Sequence, residues 1–211
     1  GWILYLEGST GLAILKAFSE RLNHPALSDL KKPFVNYVSN QPTKATDHFF
    51  GLREAKNDLV GLAIFDRLDR DLPKQEQITF HEWTRRELEN YLCMEDVLIA
   101  YATRNADDNL FSLSERETGE RVMHECIHKI SEAFRTLKKS DPWSPDVKAS
   151  DEFMDPLFEM FFERLGLPNI MAKTNYHELV QFVPIDKIDP EIIHVLDLIH
   201  ETAQKAKPRL D

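Results

Sequence analysis

The stretch Ile3-Leu4-Tyr5-Leu6-Glu7-Gly8-Ser9-Thr10 decides the fold. Four apolar residues run straight into a carboxylate and then into a small, polar turn. A short, continuous apolar run that stops at an acid reads as a strand buried on both faces, with the acid at its carboxyl end. Its counterpart is Ile64-Phe65-Asp66-Arg67-Leu68-Asp69, the end of a second apolar run that starts at Val60. In an open parallel α/β sheet, ligands collect outside the carboxyl ends of the strands, where strand order reverses. Two such strands side by side bring Glu7 and Asp66 to one crevice. Facing carboxylates repel unless a cation lies between them, and an all-oxygen ligand set suits hard ions such as Mg²⁺ or Mn²⁺. The expectation is an acidic metal site on an α/β sheet.

Outward from those strands, the first ~90 residues alternate strand and helix patterns. Residues 2–6 read as a strand, and Thr10 to Asn23 as a helix with the stripe Leu12, Leu15, Phe18, Leu22. Pro33 to Val38 reads as a strand, His48 to Lys56 as a helix, Val60 to Phe65 as a strand, and 67–76 as a charge-dense loop. Gln77 to Trp83 reads as a fourth strand that runs into a helix carrying Arg85-Arg86-Glu87-Leu88-Glu89-Asn90-Tyr91-Leu92. Strands separated by helices imply crossover connections and a parallel sheet. After Cys93 helical periodicity takes over, with helices expected over Ser114–Lys138, Asp151–Leu165, Asn175–Phe182 and from Asp189-Pro190 onward. The expected organisation is an α/β domain over 1–104 and a helical C-terminal extension packed on it over 105–211.

Composition narrows the class. A chain of 211 residues with 42% hydrophobic and 29% charged residues has the balance of a globular domain. No apolar run approaches the ~18 residues of a membrane span, so no membrane partner is expected. Two cysteines, Cys93 and Cys126, make no disulfide framework and point to a reducing cytoplasm. A net charge of -10 argues against the whole surface cradling nucleic acid, and leaves room for a local basic groove or a partner that supplies one. The chain opens within two residues of a core strand, which reads as a piece of something longer.

The acids carry the chemistry. Glu89, on the segment after the fourth strand, is placed to join Glu7 and Asp66 around one Mg²⁺ that keeps several waters. Asp69 and Glu87 are the nearest further acids. The competing reading is that acids often end strands and are simply solvated.

The segments Leu6-Glu7-Gly8-Ser9-Thr10, Ile64-Phe65-Asp66-Arg67 and Glu87-Leu88-Glu89-Asn90-Tyr91-Leu92, in that order, resemble the TOPRIM domain. More narrowly they resemble the C-terminal TOPRIM region of AAA-type ATPases of the overcoming-lysogenization-defect (OLD) family. The likeness extends more loosely to Pro142-Trp143-Ser144-Pro145-Asp146-Val147-Lys148 and Lys173-Thr174-Asn175-Tyr176-His177. The resemblance implies a TOPRIM-like parallel sheet flanked by helices and an Mg²⁺- or Mn²⁺-dependent DNA endonuclease. It also implies coupling to an AAA-type ATPase in the same or a separate chain, often in phage defence. Glu7 matches the family's glutamate after strand one and Asp66 the first aspartate after strand three. Lys148 matches a downstream lysine near the scissile phosphate, with Lys173 as the alternative. The catalytic set so implied is Glu7, Asp66 and Lys148, and the metal ligands are Glu7, Asp66, Asp69 and Glu89. This chain has Gly11 and Leu68 where the family has further aspartates, and Asp69 would stand in for the second through a loop one residue longer. Gly11 and Leu68 therefore favour an alternative, a degenerate, non-cleaving TOPRIM module that regulates or scaffolds a partner ATPase. Glu7, Asp66 and Glu89 favour cleavage.

Other signals compete. His124-Glu125-Cys126-Ile127-His128 matches the zincin His-Glu-x-x-His pattern on a helix. Arg121 and Lys129 beside it, and the lack of an obvious third ligand, favour an amphipathic helix whose polar face carries histidines. Arg67, Arg70, Lys74, Arg85 and Arg86 could contact phosphates, or form a solvated loop. Phe153, Leu157, Phe158, Phe161 and Phe162 share a wide apolar face, read as core, with an interface to a missing domain or a second copy as the alternative.

Overall fold

The computed structural model describes residues 1–68, 70–104 and 110–206, the side chains of 110–113 excepted. In chain order the elements are β1 (Trp2–Leu6), α1 (Ser9–Arg21), α2 (Ala26–Leu30), β2 (Val35–Tyr37), α3 (Pro42–Ala55), β3 (Val60–Phe65) and β4 (Ile78–Glu82). They continue with α4 (Glu95–Ala102), α5 (Leu110–Thr136), α6 (Asp155–Leu165) and α7 (Pro190–Gln204). The chain divides into two compact units, Gly1–Thr84 with Ile185–Asp211, and Arg85–Pro184.

The first unit is built on a four-stranded, all-parallel sheet in the order β2-β1-β3-β4. The expected α/β class with a parallel sheet flanked by helices is therefore observed. The two central strands are buried on both faces, which is why they read as unbroken apolar runs. On one face Ile3, Tyr5, Ala63, Phe65 and Ile78 pack with Ala45 and Phe49 of α3. Gly61 makes this packing possible. A Cβ there would lie 2.9 Å from Phe49 Cε2 and 3.2 Å from Ile78 Cγ1, so only glycine lets the Phe49 ring lie against the sheet. On the other face lie α1 and α7, which bury Ile14, Leu15 and Phe18, and Ile192, Val195, Leu196 and Ile199. Right-handed crossovers explain the split, because β1→β2 and β2→β3 step across the sheet in opposite directions and so put α1 and α3 on opposite faces.

Helix α7 starts where the sequence indicated. Asp189 caps it by accepting from the Glu191 N–H at 3.0 Å, and Pro190 occupies the first turn. It belongs to the first unit rather than to a C-terminal helical block, and the second unit starts at Arg85 rather than after residue 104. Histidine–carboxylate pairs tie α7 down: His24 Nε2 lies 3.2 Å from Asp197, and His200 Nδ1 2.8 Å from Asp29.

The second unit is helical. Its core is the apolar face of α6, where Leu157, Phe158, Phe161 and Phe162 are all buried, joined by Phe153 and Tyr176. A π turn, Ala149–Met154, leads into α6, and Gly166 closes that helix at φ 66, from which Leu167 N–H donates to the Phe162 carbonyl at 2.9 Å. The helix expected over Asn175–Phe182 is a 3₁₀ segment that starts two residues earlier, Lys173–Phe182. The helix expected over 85–92 is instead one 3₁₀ turn, Leu88–Tyr91. The side chains of Glu87 and Asn90 cap each other's backbone, and the buried Asn90 amide also donates to the Val147 carbonyl at 2.9 Å. Polar side chains spent on the backbone in this way favour a short turn over a continuous helix. Among the described residues, no helix is long and apolar enough to cross a membrane.

Candidate functional site

Strands β1 and β3 are hydrogen-bonded neighbours in mid-sheet, and β2 and β4 lie outside them on either side. The strand order reverses between β1 and β3, so their carboxyl ends bound the switch point at which open α/β sheets bind ligands. Glu7 is the first residue past β1, and Asp66 is the first past β3. The register pairs Tyr5 with Ala63, so Glu7 is level with Phe65 and Asp66 lies one residue further on. Glu7 is exposed and Asp66 half-buried. Helix α1 opens at Ser9, two residues beyond Glu7, and its N-cap, Gly8, has no side chain to satisfy the first-turn N–H groups. Those donors, with the positive end of the helix dipole, favour an anion at the same edge of the sheet.

Asp66 is held by a residue the sequence reading passed over. Asn40 Nδ2 donates to Asp66 Oδ2 at 2.9 Å, and Asp66 N–H donates back to Asn40 Oδ1 at 3.0 Å. Because β1 separates β2 from β3, these bonds bridge over the carboxyl end of β1. The same turn is tied to β1 by Ser39 N–H, which donates to the Glu7 carbonyl at 3.2 Å. Asn40 and Ser39 both adopt left-handed backbone, φ 55 and 48. The turn signal Ser39-Asn40 was visible in the sequence, since asparagine tolerates this conformation; its reach to Asp66 was not.

Glu82 is a second residue passed over. It ends β4 and accepts a hydrogen bond from Leu68 N–H. It repeats the signature that singled out Glu7, a strand ending in an acid. The partly buried Leu68 side chain packs against the core cluster that includes Phe65, so at this position the chain serves packing and has no carboxylate to offer the crevice. Asp69 lies outside the described residues. Of the basic residues in this unit, Arg67 donates to the Thr84 carbonyl at 3.3 Å and Arg70 to the Asn40 carbonyl at 3.2 Å, while Lys74 lines a 700 Å³ cavity beside β4.

Glu89 and Lys148 belong to the second unit. Glu89 is buried beside the equally buried Glu87, and Lys173 Nζ lies 3.8 Å from Glu87, 4.0 Å from Glu89 and 3.6 Å from Asp151. Lys173 also donates to Ser150 Oγ at 3.0 Å. Burial pushes the Glu87 carboxyl pKa up, against the pull of the Ser150 N–H, which donates to it at 2.6 Å, and of Lys173. Lys148 pairs with Asp151, which holds the lysine pKa up and the aspartate pKa down. Of the two candidate lysines, Lys173 is the one set among the buried acids, and Lys148 is engaged with a half-exposed one. Trp143 packs edge-on against Phe153 with ring centroids 5.0 Å apart, which pins the loop that carries Lys148. Arg85 stacks over Tyr91 at 4.9 Å, and Arg86 N–H donates to the Pro145 carbonyl at 2.7 Å.

His124 and His128 lie on the exposed face of α5, next to Glu95 and Glu132 respectively, at 3.5 and 3.7 Å. Glu125 between them is clamped by Arg121 and Arg164, each at 2.7 Å. Among the described residues, no group of three or more His, Cys, Asp or Glu side chains is gathered as a metal cage.

Neither a family model nor a curated protein matches the sequence. Among solved structures, the chain is similar to the C-terminal region of the OLD protein of Xanthomonas campestris pv. campestris. The identity is 18% and the TM-score 0.44, over 97% of this chain and 94% of that one.

Proposed function

We propose that the chain is a Mg²⁺- or Mn²⁺-dependent phosphodiesterase domain that cuts DNA in concert with an AAA-type ATPase. The observation that carries this reading is the placement of Glu7 and Asp66 at the carboxyl ends of the two central parallel strands, on either side of the switch point. An all-oxygen pair fits a hard divalent ion, since Mg²⁺ is commonly held by one or two carboxylates and completes its shell with water and substrate phosphate. Glu7 and Asp66 would hold the ion, and the TOPRIM resemblance proposes Asp69 beside them. The chemistry such an ion supplies when bound is neutralisation of phosphate charge and activation of water. The chain's own contribution is to fix Asp66 through Asn40 and to present the uncapped N–H groups of α1 to a phosphate oxygen.

A second reading, a non-cleaving module that regulates or scaffolds the ATPase, is favoured by a specific observation. Leu68, partly buried, packs against the core cluster at the position where the resembled family has its second aspartate. One experiment separates the two. Plasmid nicking is measured with Mg²⁺, Mn²⁺ or chelator, using this chain alone and joined to its ATPase, as wild type, Glu7→Ala and Asp66→Ala. Metal-dependent nicking lost in both variants supports the nuclease. Nicking that survives either substitution removes the site, and a complete absence of nicking with intact ATPase coupling selects the regulatory module.

A further inference from the structure

The two hydrogen bonds between Asn40 and Asp66 make a closed, two-way clamp: the amide nitrogen holds the carboxylate, and the amide oxygen holds the backbone of the same residue. This fixes both where Asp66 starts and where its carboxylate ends. The clamp crosses the end of β1, and the Asn40 carbonyl is itself held by Arg70 at 3.2 Å. Asn40 occupies left-handed backbone next to a second left-handed residue, Ser39. Asparagine tolerates that conformation better than most side chains, and glycine adopts it at no steric cost. A turn needing only this backbone would be served at least as well by glycine. The side chain is what glycine lacks.

We infer that Asn40 is a positioning residue for the Asp66 carboxylate, setting its orientation for a divalent cation at the switch point. This rests on the proposed metal-dependent reading of Glu7 and Asp66, and extends it to a residue of another strand end. Asn40 acts through Asp66 and does not itself touch the ion. Partners that stand behind a metal ligand in this way fix its rotamer and its proton affinity, and their loss costs roughly 10- to 100-fold in metal affinity.

The test exploits the backbone. Asn40→Gly keeps the left-handed turn at no steric cost and deletes only the amide. Asn40→Asp keeps an acceptor for the Asp66 N–H and replaces the donor with a second carboxylate. Two quantities are measured on this chain: the titration of the Asp66 carboxyl in metal-free protein by ¹³C NMR, and Mn²⁺ affinity by calorimetry. A hydrogen bond donated to a carboxylate favours its charged form, so Asp66 titrates at higher pH in Asn40→Gly than in wild type, and higher still in Asn40→Asp. Mn²⁺ affinity falls about 10- to 100-fold in Asn40→Gly, while its thermal midpoint stays at or above that of wild type. A merely structural role would move the midpoint and leave Mn²⁺ affinity unchanged. If Asn40→Gly leaves both the Asp66 titration and Mn²⁺ affinity at wild-type values, Asn40 is a turn residue and the inference is overturned. If the Asp66 titration moves while wild type takes up no Mn²⁺, Asn40 still positions Asp66, and the metal reading is what fails.

Discussion

The ammonium of Lys173 lies 3.8 Å from the carboxylate of Glu87, a residue that is 1% exposed. Burial raises the pKa of that carboxyl. An acid whose pKa rises on folding opposes the fold increasingly as pH climbs from its unfolded pKa to its folded one, and the penalty is absent below both. Lys173 offsets that penalty. Lys173→Met should lower the free energy of unfolding at pH 7 by about 2 kcal/mol, less than a fully buried pair would lose because the lysine is 30% exposed. At pH 4, below the ordinary glutamate pKa, the part of that loss that comes from Glu87 should shrink, while the contact of Lys173 with Asp151 remains. Lys148→Met, which breaks a half-exposed pair, should cost under ~1 kcal/mol. Urea unfolding of both variants at the two pH values checks this; equal losses for Lys173→Met at pH 4 and pH 7 would show that it does not serve a buried acid.

Gly61 should resist enlargement. Its Cβ position meets the Phe49 ring at 2.9 Å in a fully buried layer, and overpacking of such a core typically costs 1–3 kcal/mol. Gly61→Ala is expected to lose roughly 2 kcal/mol. In the Phe49→Leu background the same change should cost much less, because the smaller side chain vacates the space. Thermal or urea unfolding of the double-mutant cycle measures the coupling, and strict additivity would mean the two residues do not meet.

The elements legible in the sequence were those whose signal is local. Strand β3 has the boundaries its apolar run indicated, Val60 to Phe65, and Asp189-Pro190 marked the start of α7 by capping chemistry alone. Misreadings arose where a side chain answered to something distant. Asn90 bonds to the Val147 carbonyl and cuts a helix pattern down to one turn. The five-residue α2 is too short to show a period. The apolar face of α7 would suit any core, so periodicity could not assign that helix to the sheet. At the candidate site, Glu7 and Asp66 announced themselves as acids at the ends of apolar runs. Asn40 could not, because its importance is a contact across β1 between residues 26 apart in sequence.

The His-Glu-x-x-His segment is expected to hold no zinc. In a zincin the glutamate must be available to a metal-bound water, whereas Glu125 is held between Arg121 and Arg164. His124 and His128 are more than half exposed and sit by Glu95 and Glu132. Elemental analysis of protein purified without added metal should find no stoichiometric zinc. One zinc per chain, lost on replacing His124 and His128 with Gln, would overturn this.

Gly11 is the third residue of α1, in the turn that opens on the switch point. A glycine there costs up to ~1 kcal/mol relative to better helix formers, and an acid in a first helical turn is favoured by the dipole. Gly11→Asp should therefore raise stability slightly, by about 0.5–1 kcal/mol. It would also bring a further carboxylate to the edge that carries Glu7 and Asp66. With one more anionic ligand, Mn²⁺ affinity should tighten, and metal-dependent nicking should rise if the domain cleaves. Calorimetric Mn²⁺ titration of both forms, beside a plasmid-nicking assay, reads the two effects separately. A stability gain with unchanged Mn²⁺ affinity would mean that position 11 faces away from the site and that the first-motif resemblance is out of register. Tighter Mn²⁺ binding without nicking, with the ATPase joined, would show that the carboxyl edge of this sheet binds metal without cutting DNA, which is the regulatory reading.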